Sequence, residues 1–229
     1  GLSTESTVPW ARIDRPALIC YCLHRMSCIR KWVAEFPFLW SLLIAAGVSA
    51  PTPLHGIEIQ PTPGQISATV ERGRAAAAQG IAPDQLHVWF GSEKDLAPRG
   101  FIMTKLGSLL VMANHLRLRA LSPTEQDIAQ VMANENLLVN VVLYGDRINF
   151  AADSYVVLEQ AGRTVKPSTV RFDARGDRTA VWPQQPAYRA KVIAQFPYAE
   201  LDPRAKTTLT VFPAGGGQVS FELDFAHIE

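Results

Sequence analysis

Residues 218–225, Gln-Val-Ser-Phe-Glu-Leu-Asp-Phe, alternate polar and apolar side chains without a break. Successive side chains of a strand point to opposite faces, so Val219, Phe221, Leu223 and Phe225 share one face. A strand with one apolar and one polar face is typical of an antiparallel sheet that packs on a core and meets water on its other side. The stretch therefore predicts a half-buried β-strand.

The same period of two recurs along the second half of the chain. It covers residues 137–144, 154–160, 164–172, 188–196 and 207–212. The glycine-rich stretch Pro213-Ala214-Gly215-Gly216-Gly217 predicts a hairpin loop before the last strand. Six short strands separated by turn signals predict an antiparallel β-sandwich over residues 136–229.

Residues 62–135 have a helical period instead. Thr62 can cap a first helix, with Pro63 in its first turn and Gln65 placed to complete a capping box. Residues 102–119 favour a second helix, although their end alternates like a strand. The sequence Ser122-Pro123-Thr124-Glu125 repeats the cap and proline pattern and predicts a third. Between the first two, residues 86–91 fit a short strand or a buried turn, and residues 92–100 a polar loop. We expect an α+β fold in which a short N-terminal helical region packs on the sandwich.

An export signal is predicted at residues 26–50. Arg30 and Lys31 form a positive segment, an apolar run follows over residues 36–46, and Val48-Ser49-Ala50 resembles a cleavage site. The alternative is that this segment stays attached as an N-terminal anchor. Residues 1–25 are then interpreted as a non-native or upstream extension, and the proline-rich residues 51–61 as a linker. All three cysteines of the chain precede the proposed cut.

Composition argues against several classes of function. Beyond residue 50 there are 17 Lys and Arg against 18 Asp and Glu, with no basic run, which disfavours binding to nucleic acid or anionic lipid. We expect no stable membrane insertion once the signal is removed. No catalytic motif is present and the histidines are far apart, so we predict no catalytic residues, no metal site and no cofactor. A calcium site at residues 173–177 is disfavoured because arginines neutralise its two carboxylates.

Three residues are candidates for binding. Trp182 lies in the proline-bounded stretch Val181-Trp182-Pro183-Gln184-Gln185-Pro186, where an exposed indole would contact a partner or a sugar. The alternative is that the indole anchors this loop to the core. Arg175 and Asp177 flank Gly176 in a tripeptide that some integrins recognise. The alternative interpretation of this tripeptide is a β-turn in which Gly176 takes a conformation that other residues avoid.

The layout of leader, short helical region and strand-rich end, closing in Val-Ser-Phe-Glu-Leu-Asp-Phe, resembles that of uncharacterised bacterial exported proteins with a C-terminal immunoglobulin-like sandwich. The resemblance implies an immunoglobulin-like fold and no site residue. We expect a periplasmic or extracellular, non-catalytic interaction module whose partner is an envelope protein. The first alternative is a small-ligand or glycan-binding protein with an aromatic cleft between helices and sandwich. The second is a hydrolase whose site assembles in space.

Overall fold

The structure is a computed structural model that describes residues 56–228. The predicted leader at residues 26–50 and the extension at 1–25 lie outside these residues. The described helices are α1 (Pro63–Ala78), α2 (Lys105–Leu118) and α3 (Glu125–Met132). The described strands are β1 (Val88–Gly91), β2 (Arg99–Met103), β3 (Asn136–Gly145), β4 (Tyr155–Gln160), β5 (Arg163–Val165), β6 (Thr169–Phe172), β7 (Asp177–Arg178), β8 (Tyr188–Pro197), β9 (Lys206–Phe212) and β10 (Val219–Asp224).

The strands form two antiparallel sheets. The larger sheet has the order β1-β2-β3-β8-β6, and β7 pairs with β8 beside β6. The smaller sheet has the order β10-β9-β4-β5. The predicted helices and antiparallel strands are therefore confirmed at the level of an α+β fold.

One hydrophobic core receives side chains from both sheets. β3 buries alternate residues and contributes Leu137, Val139, Val141 and Leu143. The polar–apolar alternation of residues 218–225 is confirmed in β10, since Phe221 and Leu223 are buried and Ser220 and Glu222 are exposed. The two sheets thus keep their inner faces together and leave two outer faces on opposite sides.

The region predicted as helical, residues 62–135, is only partly helical. Residues 88–91 and 99–103 form the hairpin β1–β2, which joins the larger sheet through β3. Strands therefore lie on both sides of residue 136, and β1 coincides with the short strand considered at residues 86–91. The pattern was hard to recognise because Gly100 interrupts β2, where any side chain would meet the carbonyl oxygen of Asn140 at 2.4 Å.

Residues 164–172, predicted as one strand, form two. β5 ends at Val165 in the smaller sheet and β6 begins at Thr169 in the larger one. Pro167 lies between them and has no backbone N–H to donate to a ladder, so the chain crosses from one sheet to the other there. Apolar and polar residues alternate on both sides of Pro167, but the apolar positions shift by one residue between Val165 and Val170. That shift is the signal of the crossover, and the single-strand prediction missed it.

The first helix is confirmed with the predicted cap and capping box of Thr62 and Gln65. The third helix begins later than expected, because Thr124 caps it and Asp127 completes the box. The three helices pack mainly on one another around Val70, Leu109 and Ala113. Among the described elements, α2 has its main contact with the sheets at β2, beside the edge strand β1 of the larger sheet.

The end of the predicted linker belongs to the fold. Ile57 is buried in the core shared by the sheets, and its N–H donates to the carbonyl of Pro203 at 3.0 Å. Ile59 packs against the same core. Residues 56–61 are therefore anchored to the sandwich and are not a free linker.

Candidate functional site

The outer face of the larger sheet carries an unusual set of side chains. The strand register places residues of β1, β2, β3, β8 and β6 side by side in rows across this face. One row contains Arg99, Val142 and Lys191. The next row contains Trp89, Phe101, Asn140, Ile193 and Arg171. This outer face is therefore aromatic and apolar with arginine and lysine around it, although outer faces of sheets are usually polar.

Four residues at the β1–β2 end of this face form a cluster, which we call the Trp89 cluster: His87, Trp89, Arg99 and Phe101. The imidazole of His87 stacks on the Phe101 ring with centroids 4.1 Å apart. The Trp89 ring meets Phe101 edge-on at 5.3 Å, and the Arg99 guanidinium lies 5.1 Å from the indole centroid. These contacts hold the indole in one place.

Trp89 remains 43% exposed despite these contacts. Its indole Nε1–H donates to the carbonyl of Asp84 at 3.0 Å. The polar edge of the ring is therefore already hydrogen-bonded, and the apolar ring face is left to contact a partner. Beside it a groove of about 300 Å³ runs over Gly91, Ser92, Glu93 and Arg99. Tryptophan and arginine are among the residues that most often dominate the binding energy of a protein interface.

Two buried polar atoms on the same face have no hydrogen-bond partner within residues 56–228. They are His87 Nδ1 and Asn140 Oδ1. Asn140 lies directly opposite Phe101 across the β2–β3 ladder, and His87 stacks on the Phe101 ring. Burial lowers the pKa of His87, an effect partly opposed by the nearby carboxylate of Asp84. Unsatisfied buried groups are costly, so their presence at one place marks this face as more than a solvated surface.

Trp182 is exposed, which is the condition that its predicted binding role requires. It is 42% exposed at the tip of the β7–β8 loop, and the Arg178 guanidinium lies 4.0 Å from its ring centroid. The loop itself is ordered by hydrogen bonds from the Thr179 N–H to Ala187 O and from the Thr179 hydroxyl to Pro186 O. Trp182 is thus held on a rigid loop, at a different place from the Trp89 cluster.

Arg175 and Asp177 are exposed but are not presented together on a turn. Asp177 belongs to β7 opposite Arg189 and lies 3.7 Å from its guanidinium. The predicted β-turn with Gly176 in a positive-φ conformation is wrong, because Gly176 is not among the residues with positive φ. Gly176 is needed for close approach instead, since a side chain there would lie 2.8 Å from the carbonyl oxygen of Arg189.

Other kinds of site find little support in residues 56–228. No three His, Cys, Asp or Glu side chains among them are close enough to hold a metal ion. The space between α1, α2 and Val88 is about 100 Å³ and is lined without aromatic side chains, which does not match the aromatic cleft expected for a ligand-binding protein. None of the described helices has the length and apolar character to cross a membrane.

From the sequence, Trp182 was singled out and Trp89 was not, so the cluster was missed. The available signal was the alternation in Val88-Trp89-Phe90, because two apolar neighbours pointing inward leave the tryptophan between them pointing outward. The signal was weak because the strand is only four residues long.

No family model matches the chain, and no curated protein matches it. Two solved structures are similar to part of it. The archaellum periplasmic stator protein complex FlaF and FlaG from Sulfolobus acidocaldarius is 16% identical with a TM-score of 0.25, over 39% of this chain and 77% of that chain. The archaellum periplasmic stator protein FlaG from the same organism is 16% identical with a TM-score of 0.26, over 40% of this chain and 88% of that chain. TM-scores this low assign neither a fold nor a function to this chain.

Proposed function

We propose that the protein is an exported, non-catalytic interaction module of the cell envelope, which binds a protein partner through the Trp89 cluster. The immunoglobulin-like character of its sandwich and its similarity to bacterial exported proteins are part of this proposal. Export is supported by the signal pattern at residues 26–50. The observation that carries the binding function is the exposed, immobilised indole of Trp89 under the Arg99 guanidinium.

The geometry favours recognition over catalysis. Binding costs less when the contact residues are already ordered, and the contacts of Trp89 with Phe101, Arg99 and the Asp84 carbonyl supply that order. Trp and Arg at the centre of an interface commonly dominate its affinity. A hydrolase would need acid and base groups that converge with shifted pKa values. The Asp127 carboxyl has a lowered pKa, but the cause is its hydrogen bonds with the cap residue Thr124 and not a second catalytic group.

The test is capture of partners from an envelope extract by the full chain and two matched variants. Trp89→Ala removes the indole of the proposed site, and Trp182→Ala removes an equally exposed indole elsewhere. We expect the wild type and Trp182→Ala to retain the same protein, and Trp89→Ala to lose it by at least tenfold. Loss with Trp182→Ala and retention with Trp89→Ala would refute the assignment of the surface and favour the site predicted from sequence.

Glycan binding is the second candidate, because the groove beside Trp89 also offers the polar groups of Ser92, Glu93 and Arg99. Aromatic rings with polar neighbours suit small ligands as well as proteins. Titration of envelope glycans against the change in tryptophan emission of wild type and Trp89→Phe separates the candidates. A saturable change in the wild type that is lost in Trp89→Phe would favour the glycan.

A further inference from the structure

The cations on the outer face of the larger sheet have a regular spacing. Arg99 and Lys191 are each opposite Val142, on strands β2 and β8 that flank β3. Neighbouring strands lie roughly 4.8 Å apart, so the two side chains leave the face roughly 10 Å apart. Both are exposed, and neither has an ion-pair partner in the described part of the chain.

The outer face of the smaller sheet carries carboxylates with the same spacing. Glu159 and Glu222 are each opposite Thr208, on strands β4 and β10 that flank β9. They too are separated by two strand spacings, or roughly 10 Å. Both carboxylates are exposed, and the Thr208 hydroxyl donates to Glu222 at 3.0 Å, which orients that side chain.

The surroundings of the two pairs are also complementary. Register places four cations (Arg99, Arg171, Arg189, Lys191) and two carboxylates (Asp173, Asp177) on the outer face of the larger sheet, a balance of +2. It places three carboxylates (Glu159, Glu222, Asp224) and one ammonium (Lys206) on the outer face of the smaller sheet, a balance of −2. Exposed aromatic rings accompany both sets, with Trp89 on the first face and Tyr155 and Phe212 on the second.

We propose that the protein associates head to tail with a second copy of itself, the outer face of the larger sheet of one copy receiving the outer face of the smaller sheet of the next. The cations Arg99 and Lys191 of one copy then meet the carboxylates Glu159 and Glu222 of its neighbour. Because the two faces lie on opposite sides of the shared core, this contact is heterologous and leaves a free face at each end. The inference rests on the proposed function, since it uses the same outer face that carries the Trp89 cluster.

The contact is small. Four strands at roughly 4.8 Å and about seven residues at roughly 3.3 Å give a face of about 440 Å² on each copy, or about 900 Å² in total. Interfaces below about 1,200 Å² are characteristic of weak, transient complexes. We therefore expect association only at about hundreds of micromolar protein. Low salt should strengthen it, because the Debye length then exceeds about 10 Å and the opposite charges of the two faces attract one another with little screening.

The test is sedimentation velocity of the full chain over a wide concentration range at about 50 mM and about 500 mM salt. We expect the weight-average sedimentation coefficient to rise with concentration at low salt without levelling at the dimer, and to rise at least tenfold less steeply at high salt. A coefficient that stays at the monomer value, or one that levels at a dimer, would overturn the proposal.

Charge reversal provides the decisive comparison. The double variant R99E/K191E has two acidic faces and E159K/E222K has two basic faces, so neither should associate alone, whereas their mixture should associate as the wild type does. The control R117E/R119E reverses two exposed cations at the end of α2, outside both faces, and should behave as the wild type. Failure of the mixture to associate would refute the pairing. If the wild type stays monomeric but Trp89→Ala still loses the envelope partner, this inference is refuted and the proposed function stands.

Discussion

The buried side chain of Gln160 provides a quantitative test of how the sandwich is closed. It is 3% exposed at the end of β4. Its Nε2 donates to Asp202 O at 3.0 Å and to the Thr207 hydroxyl at 2.9 Å, and its Oε1 accepts from the Asp202 N–H at 2.9 Å. This one amide therefore ties the loop before β9 to the neighbouring strand.

Gln160→Ala removes all three hydrogen bonds. Each is worth about 1 kcal/mol net, so the variant should lose about 3 kcal/mol of the free energy of unfolding. For a chain of this size that corresponds to a fall in Tm of about 6–12 °C. Gln195→Ala is the matched control, because Gln195 is half-buried on the outer face of β8 and its side chain makes no hydrogen bond within residues 56–228.

The assay is urea unfolding followed by far-UV circular dichroism, with thermal unfolding as a second measurement. The control should stay within about 0.5 kcal/mol of the wild type, as surface changes usually do. If Gln160→Ala were no more destabilised than Gln195→Ala, water would be replacing the amide. The reasoning that this end of the core is dry and held by Gln160 would then be refuted.

Three further predictions concern the helices, the site and the loop. Thr124→Ala should cost about 1 kcal/mol in urea unfolding, whereas Ser122→Ala should cost less than about 0.5, because only the former caps α3; equal effects would contradict this assignment. Burial lowers the pKa of His87 in the folded protein, so this imidazole binds a proton more tightly in the unfolded chain. The free energy of unfolding should therefore fall as the pH drops from above the ordinary pKa of 6.5. His87→Gln should flatten this pH dependence, measured as denaturant midpoints at several pH values. Arg178→Met should increase acrylamide quenching of the Trp182 emission while changing stability by less than about 1 kcal/mol, since it removes an exposed cation–π contact; unchanged quenching would show that Arg178 does not cover the ring.

The strand content was largely predictable because burial imposes a period of two wherever one face of a strand meets the core. β3, β8 and β10 fulfil that condition, and their patterns predicted them within a residue or two. The helix caps were predictable because a capping hydroxyl accepts a hydrogen bond from the first turn of its own helix, so the cap and the helix are adjacent in the sequence. The first cap was correct. The third was displaced by two residues because Ser122 and Thr124 are chemically equivalent in the sequence, and only the backbone decides between them.

The candidate site was less predictable because it depends on contacts between strands. The prolines around Trp182 marked its loop, but the sequence left open whether the indole is exposed or anchors the loop to the core. The local signal for the exposure of Trp89 is the alternation Val88-Trp89-Phe90, in a strand only four residues long. Its contact with Phe101 is a fact of register that no local pattern contains. The pairing of Arg99 with Lys191 across β3 is likewise invisible until the order of strands is known.

The burial of Ile57 limits how far the folded part can move from whatever precedes it. Only residues 51–55 separate the predicted cleavage point from the anchored stretch, and five extended residues reach at most about 18 Å. If the segment at 26–50 is kept as an anchor, residues 51–55 would be the whole tether between the anchor and the folded part. If the segment is removed, trimming the new terminus as far as Thr62 would take away Ile57 and open the core. Residue 56 is therefore the practical limit for shortening the chain from this end.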